Sequence, residues 1–224
     1  GLAQTGAHEV SATHIPYLID TRVSSIGYAT ATRFGTVGVQ VQSVDYGDIA
    51  ESRTENLGFD ANGVYNPGLT GNTFSPSAFV VGLSYGRALS DRFATGITAK
   101  YVSESLYDGQ YTNASGTYDT QAGAVLFDIG MQYETGFRSL NVGMSVQNFG
   151  PEVAFVDQAF AAPLTFRLGI TGDVIGTNGF IGQSEQNRLT VAYDLVQPND
   201  YDQQMQVGLE YTFADVVSLR GGYK

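Results

Sequence analysis

Along most of this chain, apolar residues alternate one by one with small or polar ones. A period of two is what a β-strand shows when its two sides meet different surroundings. Between Ser77 and Arg87, Phe79, Val81, Leu83 and Tyr85 fall on one side, and Val80, Gly82, Ser84 and Gly86 on the other. Phe93, Thr95, Ile97, Ala99 and Tyr101 alternate with Ala94, Gly96, Thr98, Lys100 and Val102, and Val125, Phe127, Ile129, Met131 and Tyr133 with Leu126, Asp128, Gly130, Gln132 and Glu134. The same rhythm runs through 37–42, 140–147, 164–171, 189–196, 205–213 and 217–224, with less regular strands near 8–15 and 22–33. That makes about 11 strands, mostly about 9–11 residues long, the length a tilted strand needs to cross a bilayer.

The connections alternate too. Short turns fall at Phe34–Gly35, Ser90–Asp91, Gly136–Arg138 and Ala214–Asp215. Long links fall at 47–76, 107–121 and 149–162, with a moderate one at 198–203. The link 174–187 breaks this rhythm, being long where a short one is expected. Short turns at one end and long loops at the other is the arrangement of outer-membrane barrels.

Composition decides which side faces inward. Charged residues are only 15% of the chain, against 28 glycines and 27 tyrosines and phenylalanines. The second side of each strand is Gly, Ser, Thr, Gln and Asn, with few charges, a poor surface for a soluble protein and a good lining for a polar or plugged lumen. The aliphatic side is therefore expected in lipid, and aromatics near strand ends fit interfacial girdles. A large secreted all-β domain is the bland alternative. The expected fold is all-β: a transmembrane antiparallel up-and-down β-barrel.

Other classes are excluded. A net charge of −11 without a basic cluster argues against nucleic acid. The absence of cysteine removes disulfides, thiolate metal sites and a Cys nucleophile. No apolar run reaches the roughly 18 residues of a membrane helix. The opening GLAQTGAHEV has neither a basic start nor an apolar core like a secretory leader. Bacterial barrels close with even strand numbers. An odd count, the lack of a leader and a last residue, Lys224, that is not aromatic predict that 1–224 is one barrel domain lacking N-terminal and C-terminal segments.

Several stretches then carry a resemblance: RFGTVGVQVQSVDYGDI (33–49), SPSAFVVGLSYGRALSDRFATGITAKYVSESL (75–106), DIGMQYETGFRSLNVGMSVQNFGP (128–151), APLTFRLGI (162–170), LTVAYDLVQPND (189–200) and QVGLEYTFADVVSLRGGYK (206–224). Their order and spacing resemble the PorV/PorQ family, within the wider FadL-like barrel group. The resemblance implies a FadL-like barrel of about 14 strands, of which about 11 are present here. The PorV type implies docking and handing over cargo proteins in type IX secretion, with a translocon and cargo bearing a C-terminal signal domain as partners. The FadL side implies a channel for hydrophobic small molecules. A structural barrel subunit of an envelope assembly is a third role. All three imply a bacterial outer membrane, lipid contact, no cofactor and no catalysis.

Candidate chemistry is sparse. Gly82-Leu83-Ser84-Tyr85-Gly86 matches a nucleophile elbow, but that motif needs a strand-to-helix turn and a following His. Here it lies inside a strand, and His8 and His14 both precede it. Those two histidines lack a third ligand and read as exposed chain-start residues. Asp45, Asp48, Glu51 and Glu55 lead into the longest loop without calcium-loop spacing, so a solvated loop is expected. Lys100, Glu104, Asp128, Glu134, Arg167, Asp194, Glu210 and Arg220 fall on the side assigned to the lumen, as a salt-bridge network or a solute-selecting lining. Tyr107, Tyr111 and Tyr118 are candidates for partner contact, because Tyr among Ser, Gly and Asn suits adaptable binding loops.

Overall fold

The computed structural model describes residues 7–59, 61–113, 116–155 and 158–224, without the side chains of 108–111 and 113. It is all-β. The main sheet is antiparallel, with strands β1 (His8–Pro16), β2 (Arg22–Thr32), β3 (Gly35–Asp45), β6 (Ser77–Ser90), β7 (Phe93–Asn113), β8 (Gly116–Glu134), β9 (Asn141–Phe149), β12 (Thr165–Gly176), β14 (Asn187–Pro198), β15 (Gln204–Phe213) and β16 (Val217–Tyr223) adjacent in that order. All eleven alternating segments of the sequence are strands of this meander, each paired to its neighbour in chain order.

Three expected loops are not loops. The link 47–76 holds a separate hairpin, β4 (Ile49–Phe59) with β5 (Tyr65–Phe74). The link 107–121 continues β7 and β8 past a register shift between Ser105 and Gln110 as a hairpin extension. The link 149–162 holds a small hairpin, β10 (Val153–Phe155) with β11 (Gln158–Phe160). The irregular link 174–187 folds back along its own strand: β13 (Gly182–Gln183) runs parallel to the end of β12. Short polar repeats such as 66–73 pair their backbones without strong alternation, so the two-residue period did not announce these strands.

Exposure is inverted relative to a soluble sheet. In β6, Leu83 is 61% exposed while Gly82 and Gly86 are buried. Ile129, Leu209 and Leu219 are likewise largely exposed. None of the described side chains is completely buried, and the apolar core is small: Ala124, Leu126 and Ala162, with Val102 and Val153 packed against them. The chain's accessible surface is 14989 Å², whereas a compact soluble protein of this mass would expose about 10,000 Å². The small core has a local cause. The link carrying β10 turns back over the inner side of β7 and β8 at the long-link end, and covers the apolar inner residues Val102, Ala124 and Leu126.

Strands β1 and β16 are the edges of the sheet and do not pair with each other. Among the described residues the structure thus shows a large antiparallel sheet whose edges are not paired into a closed barrel.

Candidate functional site

The sheet curls, and residues from nine of its strands, β1 to β14, line one cavity of about 1000 Å³. From the small and polar side of the strands it is lined by Ser11, Gly38, Gln40, Ser84, Thr98, Gln132, Ser145 and Gln147, with the charges Glu9, Asp128, Arg167 and Asp194, and outer-side residues such as Ile129 and Met131 border it too. The strand alternation dictates this, because residues two apart share a side.

All eight predicted inward charges lie on this side, and they divide into separate groups. Lys100 and Asp128 form an ion pair at 2.8 Å, and both are mostly buried. Lys100 Nζ reaches both carboxylate oxygens of Asp128 at 2.8 Å, and the backbone N–H of Asn148 also donates to Oδ1 at 2.7 Å. Arg167 and Asp194 line the cavity without pairing to each other in any described contact. Glu210 and Arg220 pair across β15 and β16 at the sheet edge, away from the cavity. Glu104 sits near the long-link end, where its charge adds to burial in raising the Tyr46 hydroxyl above its ordinary pKa. Glu134 lies at the short-turn end, opposite Asn141. There is no single network; one pair is built into the wall and the other charges are dispersed.

On the outer side the charges keep to strand ends. Arg22 and Asp45 pair at 3.7 Å across β2 and β3 at the long-link end, and Arg87 lies near a short turn. Aromatics mark the short-turn end: Phe93 packs edge-on against Tyr133, Phe137 contacts Phe180, and the Tyr85 hydroxyl donates to the Phe34 carbonyl at 2.5 Å. The Tyr211 hydroxyl donates to Asn187 Oδ1 at 2.6 Å. An apolar ring with its hydroxyl tied to the strand end suits a lipid–water boundary. His8 and His14 are exposed on the outer side of β1, hydrogen-bonded to Tyr28 and Ser24. Among the described residues no group of three ligands that could hold a metal occurs. Ser84, the nucleophile position of the elbow-like motif, shares a hydrogen bond with Thr98 within the sheet.

The sequence reading missed a densely hydrogen-bonded polar cluster among the described residues. Glu51, expected in a solvated loop, is only 6% exposed. It accepts hydrogen bonds from Arg53, Thr70, Asn72 and Tyr107, the last at 3.0 Å. The Thr70 and Arg53 hydrogen bonds, with smaller help from Tyr107 and Asn72, lower its pKa to about 2. Tyr107 also packs its ring on Phe74 at 5.2 Å. Tyr107, a candidate for partner contact, is thus held within the fold by these contacts. It is the bolt between the β4–β5 hairpin and β7. Tyr118 is half-buried opposite Tyr111 in the extension, and the Tyr111 side chain lies outside the described residues. Only the distance between Glu51 and Tyr107 along the chain hid this cluster; its residue types are ordinary.

The two ends of the sheet differ in charge. By sequence, the segments joining strands at the long-link end carry Asp20, Asp48, Glu51, Glu55, Asp60, Asp108, Asp119, Glu152, Asp157, Asp200 and Asp202 against Arg53 alone. Those at the short-turn end balance Arg33, Arg92 and Arg138 against Asp91, Glu185 and Asp215. Nearly all of the net −11 is therefore gathered at one end.

No model of a known protein family matches the chain, and no curated protein matches it either. The PorV/PorQ resemblance rests on the stretches of sequence quoted above.

Proposed function

We propose that this chain forms the wall of a bacterial outer-membrane β-barrel, and that its work is non-catalytic docking and handing over of secreted proteins in a type IX-like system. The inverted exposure carries the first half. In water, a sheet presenting Leu83, Ile129, Leu209 and Leu219 outward would lose the hydrophobic contribution that normally pays for chain ordering. In lipid the same face is at home, and the polar side encloses a wet interior. From Val125 to Tyr133 the outer side of β8 runs about 27 Å along the strand, or about 20 Å of membrane once tilted as barrel strands are.

Two observations favour docking over a hydrophobic-solute channel. The cavity holds four charged residues, Glu9, Asp128, Arg167 and Asp194, whose water an acyl chain would have to displace. The long links are built into hairpins, one bolted in place through Glu51, and ordered hairpins present a fixed surface.

The test is extraction of the full-length protein from its native outer membrane in mild detergent, with mass spectrometry of whatever co-purifies. A very large barrel partner, or cargo proteins sharing a C-terminal domain, is the expected result. A lone barrel carrying lipid-like molecules would overturn the secretion role in favour of the channel.

A further inference from the structure

We infer that the β4–β5 hairpin is a docking finger for a positively charged protein surface, with Leu57, Phe59, Tyr65 and Pro67 as its contact ridge. This rests on the outer-membrane reading above, which places the long-link end in water.

The ridge follows from register. Leu57 pairs with Pro67 and Phe59 with Tyr65 across the hairpin, and residues 57 and 59 are two apart, so all four share one side. Gly58 and Asn66 pair on the other side. The two rings meet edge-on, 5.6 Å apart. Phe59 is nevertheless 75% exposed, Tyr65 57% and Leu57 49%. A contiguous apolar ridge in water, with a polar reverse side, is the usual mark of an interaction surface.

Position makes the ridge usable. The base of the hairpin is fixed to the wall by Glu51, Tyr107 and Phe74. A finger held at its root loses less freedom on binding than a loose loop does.

Charge selects the partner. By sequence, the links at this end of the sheet, the finger included, carry eleven carboxylates and one arginine, as named above. That field attracts a basic surface and repels an acidic one, which sets encounter rate and partner choice. An anionic lipid surface is repelled by the same field, so the occupant is protein.

The experiment places the photoreactive residue p-benzoylphenylalanine at Phe59 in the full-length chain in its native cells, with the same residue at Phe34, on the opposite end, as control. Isolated outer membranes are irradiated, and adducts are identified by mass spectrometry. Position 59 is expected to join a polypeptide whose contact region is basic, and position 34 is not. The yield should fall about tenfold with Glu55→Lys combined with Glu152→Lys. It should fall similarly in about 0.5 M salt, where screening cuts the field within a few ångström. Lipid adducts alone, no adduct, or a protein adduct indifferent to both salt and charge reversal would overturn the proposal. Folding is read separately, from the gel shift between boiled and unboiled samples. A chain that keeps the shift but gives no adduct overturns the docking finger alone. An unsubstituted chain without any shift overturns the outer-membrane reading and this proposal with it.

Discussion

Ile129 and Gly130 are neighbours in β8, yet they sit on surfaces governed by opposite rules. Ile129 belongs to an outer side of aliphatic and aromatic residues that is largely exposed, with its charges at the strand ends. Gly130 belongs to an inner side of small and polar residues that lines the cavity and tolerates charges in mid-strand, such as Asp128 and Arg167. A soluble sheet would have these roles reversed, with the aliphatic side covered. The contrast teaches that the solvent of each side, and not the strand itself, selects its residues. Any experiment that treats the two sides alike should therefore return different answers.

The largest difference is expected from arginine. Ile129→Arg puts a charge mid-strand on the outer side and should cost about 2–4 kcal/mol of folding stability in lipid vesicles. Ser145→Arg, on the inner side, should cost no more than about 1 kcal/mol, since that charge remains in water. Denaturant titrations of folded fraction, read by the gel shift of unboiled samples, measure both. Equal costs would break the contrast and return the chain to a soluble class.

A smaller effect tests the one ion pair built into the inner wall. Lys100→Met leaves Asp128 with the Asn148 N–H but without its cation. The expected loss is about 1–3 kcal/mol, the cost of stripping a partner from a mostly buried charge. Arg220→Met at the open sheet edge should cost less than about 1 kcal/mol, because Arg220 is 74% exposed. The same titrations compare them. Similar losses would mean that the Lys100–Asp128 site is as wet as the edge.

Much of this was legible in the sequence. Nine strands of the meander were written clearly in the two-residue period and the first two less regularly, because the two sides of each strand differ in exposure. The inward side of Lys100, Asp128, Arg167 and Asp194 followed from the same parity. What stayed hidden was structure whose two faces do not differ consistently. The β4–β5 hairpin has no constant difference between its faces along its length, so 47–76 read as loop. Glu51 looked solvated because its partners Thr70, Asn72 and Tyr107 come from elsewhere in the chain. The apolar inner residues Val102 and Leu126 broke the pattern for a reason only the fold supplies: the β10 link covers them.

The Glu51 cluster gives a pH test confined to the finger. Its folded pKa is about 2, below the ordinary carboxylate value of 4.5. A depressed carboxylate contributes stability in full above the unfolded value and loses it as pH falls through the folded one. Hydrogen exchange in β4 and β5 should be unchanged from pH 7 to 5, once corrected for intrinsic rates. Protection should then decline progressively from about pH 4.5 toward 2, while the main sheet stays protected. Glu51→Gln should show reduced protection at every pH and a flatter response. A main sheet that loosens in step with the hairpin would contradict the separation of finger from wall.

The smallest expected effect asks why the inner side holds so much glycine. A Cβ at Gly143 would meet only the Met131 carbonyl at 3.9 Å, and one at Gly208 only the Ala192 Cβ at 3.8 Å, both ordinary contacts. Crowding therefore does not require glycine at either position, and neither has a positive φ. At these two positions an added side chain has open space before it, unlike at Gly169, where a Cβ would lie 2.5 Å from Asp194 Oδ1. Gly143→Ser should change stability by less than about 0.5 kcal/mol, as at an uncrowded polar surface. Gly35→Ala makes the opposite case at the short turn. There φ is 142°, and a Cβ would lie 2.7 Å from the Gly86 carbonyl, so a loss of about 1–3 kcal/mol is expected. If Gly143→Ser proved as costly as Gly35→Ala, the cavity would have to be packed by something other than water, and the wet interior would be the part of the reading to give up.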